Sequence, residues 1–220
     1  MCGERQTFHC PSRSDASVNV ADGLTLFPDA LGPDQQRRLV EFALDSLDRG
    51  RNGLLAGKTY QPPEAKVWAG RSKSRVLLQY GVYTLCNRVL QHIPVEAIEE
   101  QRPIQELIDR LIEVGVYADG EPRPNACTIN VYDEGNWLPA HVDNVGFTRP
   151  IVTVSLLSEQ EMVLGEHIRL VSDGVFEGEF RLRLPPGSAV ALRRHAANVS
   201  RHAVPAVTAR RISFTLRRLD

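Results

Sequence analysis

A change in the spacing of apolar residues at Pro124 most limits what this chain of 220 residues can fold into. Beyond that proline, apolar and polar residues alternate with a period of two, the spacing of a β-strand with one buried face. The runs are short and separated by Gly, Pro, Asp and Asn, as in an antiparallel sandwich or barrel. The predicted strands are Ala126–Tyr132, Ile151–Leu157, His167–Val171, Phe180–Leu184, Ala189–Arg193 and Arg211–Leu219.

Two helices are predicted before these strands. The first runs from Pro33 to about Gly50, and the second begins at Pro103 and is capped by Gly115. The second has the clearer amphipathic pattern, and its apolar face consists of Ile104, Leu107, Ile108, Leu111 and Ile112. Because the helices precede the strands, the sequence predicts an α+β fold.

The rest of the N-terminal half has weaker patterns. Residues 1–22 are rich in Ser, Arg and Cys, and they are predicted to form a flexible leader or a capping arm, so that the folded domain spans 23–220. Short strands are expected at Leu24–Phe27 and at Arg75–Tyr83. Residues 51–74 hold Gly, Pro, basic and aromatic residues too irregular for one long element, and they are predicted to form a loop or hairpin.

Charge and cysteine content exclude several classes of protein. The chain has 26 Lys and Arg against 27 Asp and Glu, so a polyanionic partner must bind at a local patch. No apolar run approaches the roughly 20 residues that cross a bilayer, and no secretory signal is evident, which favours an intracellular protein without a membrane partner. The four cysteines form no CxxC pair, which predicts free thiols rather than a zinc knuckle or a disulfide framework.

The motif with the most chemical content is His141-Val142-Asp143. Side chains two apart in an extended segment share a face, so the imidazole and the carboxylate point the same way. A late histidine, either His202 or His195, would complete a set of two nitrogens and one oxygen, as non-haem Fe(II) oxygenases require. Taken alone, an HxD motif is weak evidence for a metal site.

The C-terminal strand supplies the context that the HxD motif lacks. Alternation in this strand places polar side chains together on one face: Arg211, Ser213, Thr215 and Arg217. Two arginines and two hydroxyls can bind a carboxylate, although a solvated face would have the same composition. Asn130 and Tyr132 likewise share one face of an earlier strand, so two polar faces flank the HxD motif.

Together these segments resemble the AlkB family of Fe(II)/2-oxoglutarate dioxygenases. The matching stretches are Asn125–Tyr132, His141–Asp143, Arg149–Ser155, His202 and Arg211–Arg217. The resemblance implies a double-stranded β-helix, or jelly roll, in residues 124–220, with N-terminal helices that buttress one sheet and a nucleotide-recognition lid at about 51–88. It also implies the cofactors Fe(II) and 2-oxoglutarate, with Mn or Ni able to replace iron in a crystal.

The resemblance further implies roles for individual residues. His141, Asp143 and His202 would bind the iron, and His202 is preferred to His195 because Ser-Arg-His-Ala-Val-Pro before the arginine strand follows the family order. Arg211 would pair with the distal carboxylate of 2-oxoglutarate, a task for which a planar guanidinium is better suited than a lysine. The other residues implied to contact 2-oxoglutarate are Asn130, Tyr132, Ser213, Thr215 and Arg217.

Within the family, residues 143–159, 202–207 and 211–220 are similar to those of the plant and animal homologues that remove N6-methyl groups from adenine in RNA. That similarity implies an oxidative reaction in which 2-oxoglutarate becomes succinate and CO2 and the methyl group leaves as formaldehyde. A single-stranded substrate costs least, because the target base must leave its stack.

Candidate substrate contacts come from the predicted lid and from the residue after the metal aspartate. They are Lys58, Tyr60, Trp68, Arg71, Lys73, Arg75, Tyr80, Tyr83 and Asn144. Arg75 and Tyr83 are preferred, because residues 80–83 resemble an aromatic-Gly strand of the family's lid. The alternative is that Trp68 and Tyr80 are core residues and that the basic residues are solvated.

Two other functions remain open at this point. The same scaffold could carry a hydroxylase that acts on protein or a small molecule, because fold and cofactors do not fix the substrate. A non-enzymatic cupin-like module would use the polar faces to hold a carboxylate, but it would not need the triad and both arginines. A monomer in the nucleus or cytoplasm is expected, and a preference between RNA and DNA leaves no local motif.

Overall fold

The computed structural model describes residues 4–63 and 75–220. The helices in this part of the chain are α1 (Pro33–Arg51), α2 (Arg102–Glu113) and α3 (Arg194–Asn198). Its strands are β1 (Gln6–Thr7), β2 (Leu24–Phe27), β3 (Tyr60–Gln61), β4 (Val76–Tyr80), β5 (Thr84–Leu85), β6 (Arg88–Val89), β7 (Ala126–Tyr132), β8 (Leu138–His141), β9 (Phe147–Leu156), β10 (Gln160–Gly165), β11 (Arg169–Ser172), β12 (Val175–Glu177), β13 (Phe180–Leu184), β14 (Ala189–Leu192), β15 (Arg201–Val204) and β16 (Arg211–Leu219).

The strands form two main sheets. In the described residues the larger sheet has eight strands in the order β1-β2-β14-β9-β16-β7-β4-β3, and the smaller has four in the order β13-β10-β15-β8. Two separate hairpins pair β5 with β6 and β11 with β12. Pairing in both sheets is antiparallel. The short connections between consecutive strands that the turn residues predict are therefore possible.

Strand β16 has two chemically different faces, as its alternation predicts. Ile212, Phe214 and Leu216 are fully buried in a core between the larger sheet and the apolar faces of α1 and α2. The intervening side chains point to the opposite side, where the smaller sheet lies. Ser213 is opposite Asn130 on β7, so the polar residues of the two strands share this inner face. A slip of one residue would exchange the two faces, and burial of the apolar set therefore fixes the register.

A second apolar cluster joins the two sheets. Met162 and Leu182 of the smaller sheet pack in one cluster with Leu26, Ile151 and Val190 of the larger sheet. This cluster fills part of the space between the sheets. The polar inner face of β7 and β16 borders the remainder, and that is where the site lies.

The predicted strands agree best where alternation is strict. β7, β13 and β16 have the predicted bounds, whereas β9 begins at Phe147, four residues before the predicted start. β8, β10 and β15 were not predicted. β10 carries a continuous apolar run without alternation, and β8 and β15 are only four residues long, so none has the period of two that identifies a half-buried strand.

Residues 4–22 form a capping arm. β1 pairs with β2, the side chains of Val20 and Ala21 are buried, and the Ser200 hydroxyl donates to the Val20 carbonyl at 2.7 Å. Further along the arm, the Arg13 backbone N–H donates to Glu179 at 2.9 Å. Of the two predicted alternatives, the flexible leader is wrong for these residues, because the arm's backbone and apolar side chains have partners in the domain.

The described parts of the predicted lid belong to two different units. β3 and β4 extend the larger sheet, and the β5–β6 hairpin stands apart from it. The predicted contacts Trp68, Arg71 and Lys73 lie outside the described residues. The role of this region as a nucleotide-recognition lid stays a prediction.

Cys10, Cys86 and Cys127 are free thiols, as predicted, and Cys127 is buried in the core. None of the helices in the described ranges is both long and apolar enough to span a bilayer.

Helix α2 offers a matched test of its packing against the larger sheet. Ile108 is 0% exposed and Ile112 is 43% exposed on the same helix. We expect Ile108→Ala to lower the free energy of unfolding by about 2–5 kcal/mol, because the truncation leaves a cavity, and Ile112→Ala to lower it by at most about 1 kcal/mol. Urea denaturation followed by circular dichroism measures both. Equal losses would contradict the described packing of α2.

Candidate functional site

A cavity of about 340 Å³ lies between the two sheets. Its volume is within the usual range for a small-molecule site. The larger sheet contributes the polar inner face of β7 and β16, and the smaller sheet contributes histidines from β8 and β15. The predicted metal and 2-oxoglutarate residues that line the cavity are Asn130, Tyr132, His141, Asp143, His202, Arg211, Ser213, Thr215 and Arg217.

Three of these residues could bind one metal ion. His141 ends β8, Asp143 follows two residues later, and His202 lies directly opposite His141 on β15. The imidazole centroids are 4.3 Å apart, and one donor atom from each of the three side chains lies within 4.8 Å of the others. Pairing of β8 with β15 therefore brings together donors that are sixty residues apart in the chain.

Both imidazoles are prepared to bind a cation. Burial lowers the pKa of His141, and burial together with the neighbouring His141 lowers the pKa of His202 to about 3. Both rings are therefore neutral near pH 7, the form that binds a metal. Nδ1 of His141 lies 2.9 Å from the Pro139 carbonyl, and a proton on that nitrogen leaves Nε2 as the free donor.

Asp143 is held by Arg217 through only one of its oxygens. Nε and Nη2 of Arg217 donate to Oδ1 at 3.0 and 2.7 Å, whereas Oδ2 lies 3.5 Å from Nε2 of His202. Burial by itself would raise the pKa of Asp143, but Arg217 and the two histidines hold it well below its usual range. Asp143 is therefore an ionised carboxylate that directs one oxygen towards the two imidazoles.

The predicted role of Arg217 needs to be restated. The resemblance places it near the keto-acid end of 2-oxoglutarate, and Arg217 does line the cavity. However, Nε and Nη2 already donate to Asp143, and Nη1 donates to Thr128 at 3.1 Å. The contacts in this structure make Arg217 a residue that positions the metal-site carboxylate.

Arg149 positions the backbone of the same segment. Its guanidinium donates to the carbonyl oxygens of Asp143 at 3.1 Å, Asn144 at 3.0 Å and Ala197 at 3.1 Å, and to the Asn198 side chain at 3.0 Å. It thus ties the loop that carries Asp143 to α3, which leads into the strand of His202. Arg149 belongs to the stretch that carries the family resemblance, but its type alone could not indicate this role.

Arg211 is the most incompletely satisfied side chain of the cavity. It is 1% exposed, and Nη2 donates to the Ser155 hydroxyl at 2.8 Å. Nε and Nη1 are buried and have no hydrogen-bond partner among the residues that the structure describes. Burial lowers the pKa of Arg211, but a guanidinium remains charged in proteins. Two buried charge-assisted donors without acceptors are a cradle that fits a carboxylate.

Arg211 and a second cation lie close to the same aromatic ring. The guanidinium carbons of Arg211 and Arg75 lie 5.2 and 5.8 Å from the centroid of the Tyr132 ring. Nε of Arg75 donates to the Asn130 side chain at 2.6 Å. Asn130 and Tyr132 thus hold the two guanidinium groups in place. On the same face, the Thr215 hydroxyl is hydrogen-bonded at 3.2 Å to the Thr153 hydroxyl of the neighbouring strand.

Comparison with known families identifies this arrangement. The model of the 2OG-Fe(II) oxygenase superfamily matches residues 23–217. The chain belongs to this superfamily. Its name gives the cofactors, Fe(II) and 2-oxoglutarate, and the residues present fit both groups. The His-Asp-His donor set suits Fe(II), and the unpartnered donors of Arg211 suit a carboxylate.

Several curated relatives are RNA demethylases. The chain is 33% identical to RNA demethylase ALKBH9B of Arabidopsis thaliana over 98% of its own length and 43% of that protein. It is 28% identical to RNA demethylase ALKBH10B of the same plant over 92% of its length and 36% of that protein. The similarity to the AlkB homologues that the sequence predicts is confirmed. The chain spans less than half the length of either relative.

Solved structures confirm the fold prediction. The structure of OsALKBH1 superposes with a TM-score of 0.55 at 16% identity, covering 89% of this chain and 98% of that one. A prolyl-4-hydroxylase from Pseudomonas putida superposes with a TM-score of 0.52 at 15% identity, covering 90% and 93%. The two sheets of this oxygenase are therefore the predicted jelly roll.

The structure separates the two histidines that the sequence leaves as candidates. His202 lies with His141 and Asp143, whereas Nε2 of His195 is 3.0 Å from Glu166, in a different cluster that anchors the N-terminal arm. Ser12 of that arm also donates to Glu166, at 2.7 Å. The preference for His202 over His195 thus agrees with the geometry.

Most predicted substrate contacts lie away from the cavity. Tyr80 is 1% exposed and packs against Phe42 of α1 with ring centroids 5.9 Å apart, so its predicted contact with substrate is wrong. Tyr83 is also buried and is not among the described residues that line the cavity. Tyr60 lies against Gly50 of α1. Strand alternation turns Tyr80 towards the helices, as the core alternative predicts for it.

The remaining candidates divide between the cavity and its rim. Arg75 lines the cavity, and its contact with substrate stays a prediction. Lys58 is exposed but does not line the cavity in the described structure. Asn144 is engaged locally, because its amide donates to the Asn87 carbonyl at 2.7 Å and accepts from Gly146 at 2.8 Å. Sequence reasoning missed Gln61 and the β5–β6 hairpin residues, which do line the cavity.

Substitution of the two histidines tests the metal site. We expect His202→Ala to abolish measurable binding of one Mn(II), used in place of oxygen-sensitive Fe(II), because a donor of the triad is lost. His195→Ala is the matched control and should bind Mn(II) like the wild type. Isothermal titration calorimetry on folded protein measures both. Retention of the metal by His202→Ala would overturn this assignment of the site.

A second substitution tests the carboxylate cradle. We expect Arg211→Lys to weaken 2-oxoglutarate binding to the Mn(II)-loaded protein by at least about tenfold, because a lysine cannot form the bidentate contact. Arg218→Lys, on the same strand but paired with Asp220 at the surface, is the control. Calorimetric titration gives the dissociation constants, and equal affinities of the two variants would contradict the role of Arg211.

Proposed function

We propose that this chain oxidatively demethylates N-methylated bases in single-stranded RNA, with N6-methyladenine as the preferred base. The observation that carries the proposal is the His141-Asp143-His202 group beside the unpartnered donors of Arg211 in one cavity. The supporting similarity is to plant RNA demethylases over nearly the whole chain. We assign the activity to a monomer whose oxygenase domain spans 23–220, located in the nucleus or cytoplasm.

The metal site is assigned to His141, Asp143 and His202. When bound, Fe(II) and 2-oxoglutarate supply the oxidation with O2: 2-oxoglutarate is converted to succinate and CO2, one oxygen atom enters the N-methyl group, and the hydroxymethyl product releases formaldehyde. Neutral imidazoles and an ionised carboxylate give the site one negative charge for a divalent cation. Arg217 occupies Oδ1 of Asp143, which favours metal binding through the other oxygen.

Electrostatics favour a dianionic co-substrate in this cavity. The two histidines that line the cavity are neutral. The charged residues among the described lining residues are Arg75, Arg211, Arg217 and Asp143. Three positive charges against one negative leave an excess of two in a site largely removed from water, and a bound divalent metal would add two more, so the cavity attracts a dicarboxylate. Arg211 would bind one carboxylate end, and Ser155, Ser213 and Thr215 would keep that end ordered. The apolar lining from Met162 and Leu184 limits access of water.

A single-stranded nucleic acid fits the demands of the site better than a duplex. The triad lies inside the cavity between the sheets, so an N-methyl group reaches it only on a base that has left its stack. Single-stranded RNA exposes such bases at the lowest cost. The finer assignment to N6-methyladenine depends on the similarity to the RNA demethylases and on the family resemblance of the residues around Asp143.

A panel of single-stranded oligonucleotides tests the proposal. We expect mass spectrometry to find loss of 14 Da, the mass difference of one CH2 unit, from RNA with N6-methyladenine, because the group leaves as formaldehyde. The loss should require Fe(II) and 2-oxoglutarate and be matched by succinate. The panel includes RNA with N1-methyladenine, DNA with N6-methyladenine, and a proline-containing peptide. Turnover of the peptide alone would reject the demethylase proposal and favour a protein hydroxylase.

A further inference from the structure

The end of the cavity nearest the sheet edge differs from the end that holds Arg211. One rung of the larger sheet runs from Gln61 on β3 through Leu77 on β4 and Asn130 on β7 to Ser213 on β16. All four residues line the cavity. Neighbouring strands are about 4.8 Å apart, so this rung spans about 14 Å from Gln61 to the strand of Arg211. An extended five-carbon acid spans about 7 Å, roughly the length of two residues. One molecule of 2-oxoglutarate therefore cannot fill both ends.

Unpartnered donors are found at both ends. Besides Nε and Nη1 of Arg211, the Gln61 side-chain Nε2 is buried and has no hydrogen-bond partner within residues 4–63 and 75–220. The other buried side-chain atoms that lack partners in this part of the chain belong to residues that do not line the cavity: Ser46, Tyr80, Tyr117 and Ser188. Buried donors without acceptors are costly, so those at Gln61 indicate a second occupant.

The surroundings of Gln61 suit a flat, mainly apolar occupant. Pro62, Leu77 and Leu85 also line the cavity, and Leu77, which pairs with both Gln61 and Asn130, is only partly buried. The arginines that line the cavity are Arg211 and Arg217 on β16 and Arg75 directly before β4. A purine base has apolar faces and ring nitrogens that accept hydrogen bonds, and a glutamine amide is a good partner for adenine.

We propose that Gln61 is a specificity-determining residue that donates from Nε2 to N1 or N7 of the target adenine, whose face lies over Leu77. The assignment rests on the proposed demethylase function and adds the residue that reads the base. It divides the cavity into a co-substrate end at Arg211 and a base end at Gln61. An amide distinguishes adenine from a base that presents a donor at the same position.

Variants of Gln61 combined with modified bases test this assignment. Gln61→Ala and Gln61→Glu both remove the donor, and Gln61→Glu keeps the shape. We expect each to raise the KM for single-stranded RNA with N6-methyladenine by about five- to tenfold, the effect of one hydrogen bond. The KM for 2-oxoglutarate and its turnover without RNA should change by less than about twofold. Gln91→Glu makes the same change at an exposed position outside the cavity and is the control.

A comparison within the wild type keeps the test independent of how the variants fold. RNA with 1-deaza- or 7-deaza-N6-methyladenine lacks one ring acceptor, and we expect one of the two to raise the wild-type KM about five- to tenfold. The same substitution should have no effect on Gln61→Ala.

The outcomes separate the two proposals. Demethylation of all three RNAs by the wild type with one KM, or a wild-type KM in both Gln61 variants, would overturn the assignment of Gln61 and leave the demethylase function standing. Turnover of 2-oxoglutarate by the wild type without demethylation of any adenine would reject the demethylase function and this assignment with it.

Discussion

The ion pair between Arg217 and Asp143 is the interaction on which the site depends. It joins β16 of the larger sheet to the segment after β8 of the smaller sheet, and the side chains are 15% and 4% exposed. A carboxylate buried to this extent without a partner would be neutral, whereas the two bonds from Arg217 keep it ionised. Loss of one partner of such a buried pair typically costs about 3–5 kcal/mol. The same contact therefore helps to hold the two sheets together and keeps the Asp143 carboxylate charged.

Some polar groups of the cavity are left without partners, and this makes the cavity suited to binding an anion. The guanidinium groups of Arg75 and Arg211 both lie close to the Tyr132 ring centroid, at 5.8 and 5.2 Å, and Arg211 has two donors unsatisfied among the described residues. Like charges so close together reduce the stability of the protein, and a bound anion relieves this repulsion. The surrounding core supplies the compensation, because the opposite face of β16 buries Ile212, Phe214 and Leu216 completely. One strand thus contributes stability with one face and binding with the other.

The sequence predicted the parts of this design that follow from alternation and short-range spacing. Both faces of β16, the shared face of Asn130 and Tyr132, and the proximity of His141 to Asp143 belong to this class. Strand β15 could not be predicted from alternation, because a strand of four residues is too short to show a period. The closeness of His202 to His141 likewise depends on the pairing of β15 with β8. The orientation of Tyr80 was also ambiguous, since an aromatic residue at the end of a strand suits either a core or a binding surface. Arg217 lies on the predicted polar face of β16, but its bonds to Asp143 depend on the packing of two sheets.

The β5–β6 hairpin is hydrogen-bonded to β4 and to the segment that carries Asp143. The buried Gln79 side chain accepts from the Thr84 backbone N–H at 2.8 Å and donates to the Thr84 carbonyl at 2.9 Å. These two bonds fix the start of the hairpin to β4. At its tip, the Asn87 amide donates to the Val142 carbonyl at 2.8 Å, and Asn144 donates back to the Asn87 carbonyl. The two turn residues, Cys86 and Asn87, both have the left-handed backbone conformation that suits a two-residue hairpin loop. The β5–β6 hairpin is thus hydrogen-bonded to Val142 and Asn144, the residues on either side of Asp143. A nucleobase that packs against the hairpin would therefore have a fixed position relative to the metal ligands. Such rigidity lowers the entropic cost of placing the methyl group for reaction.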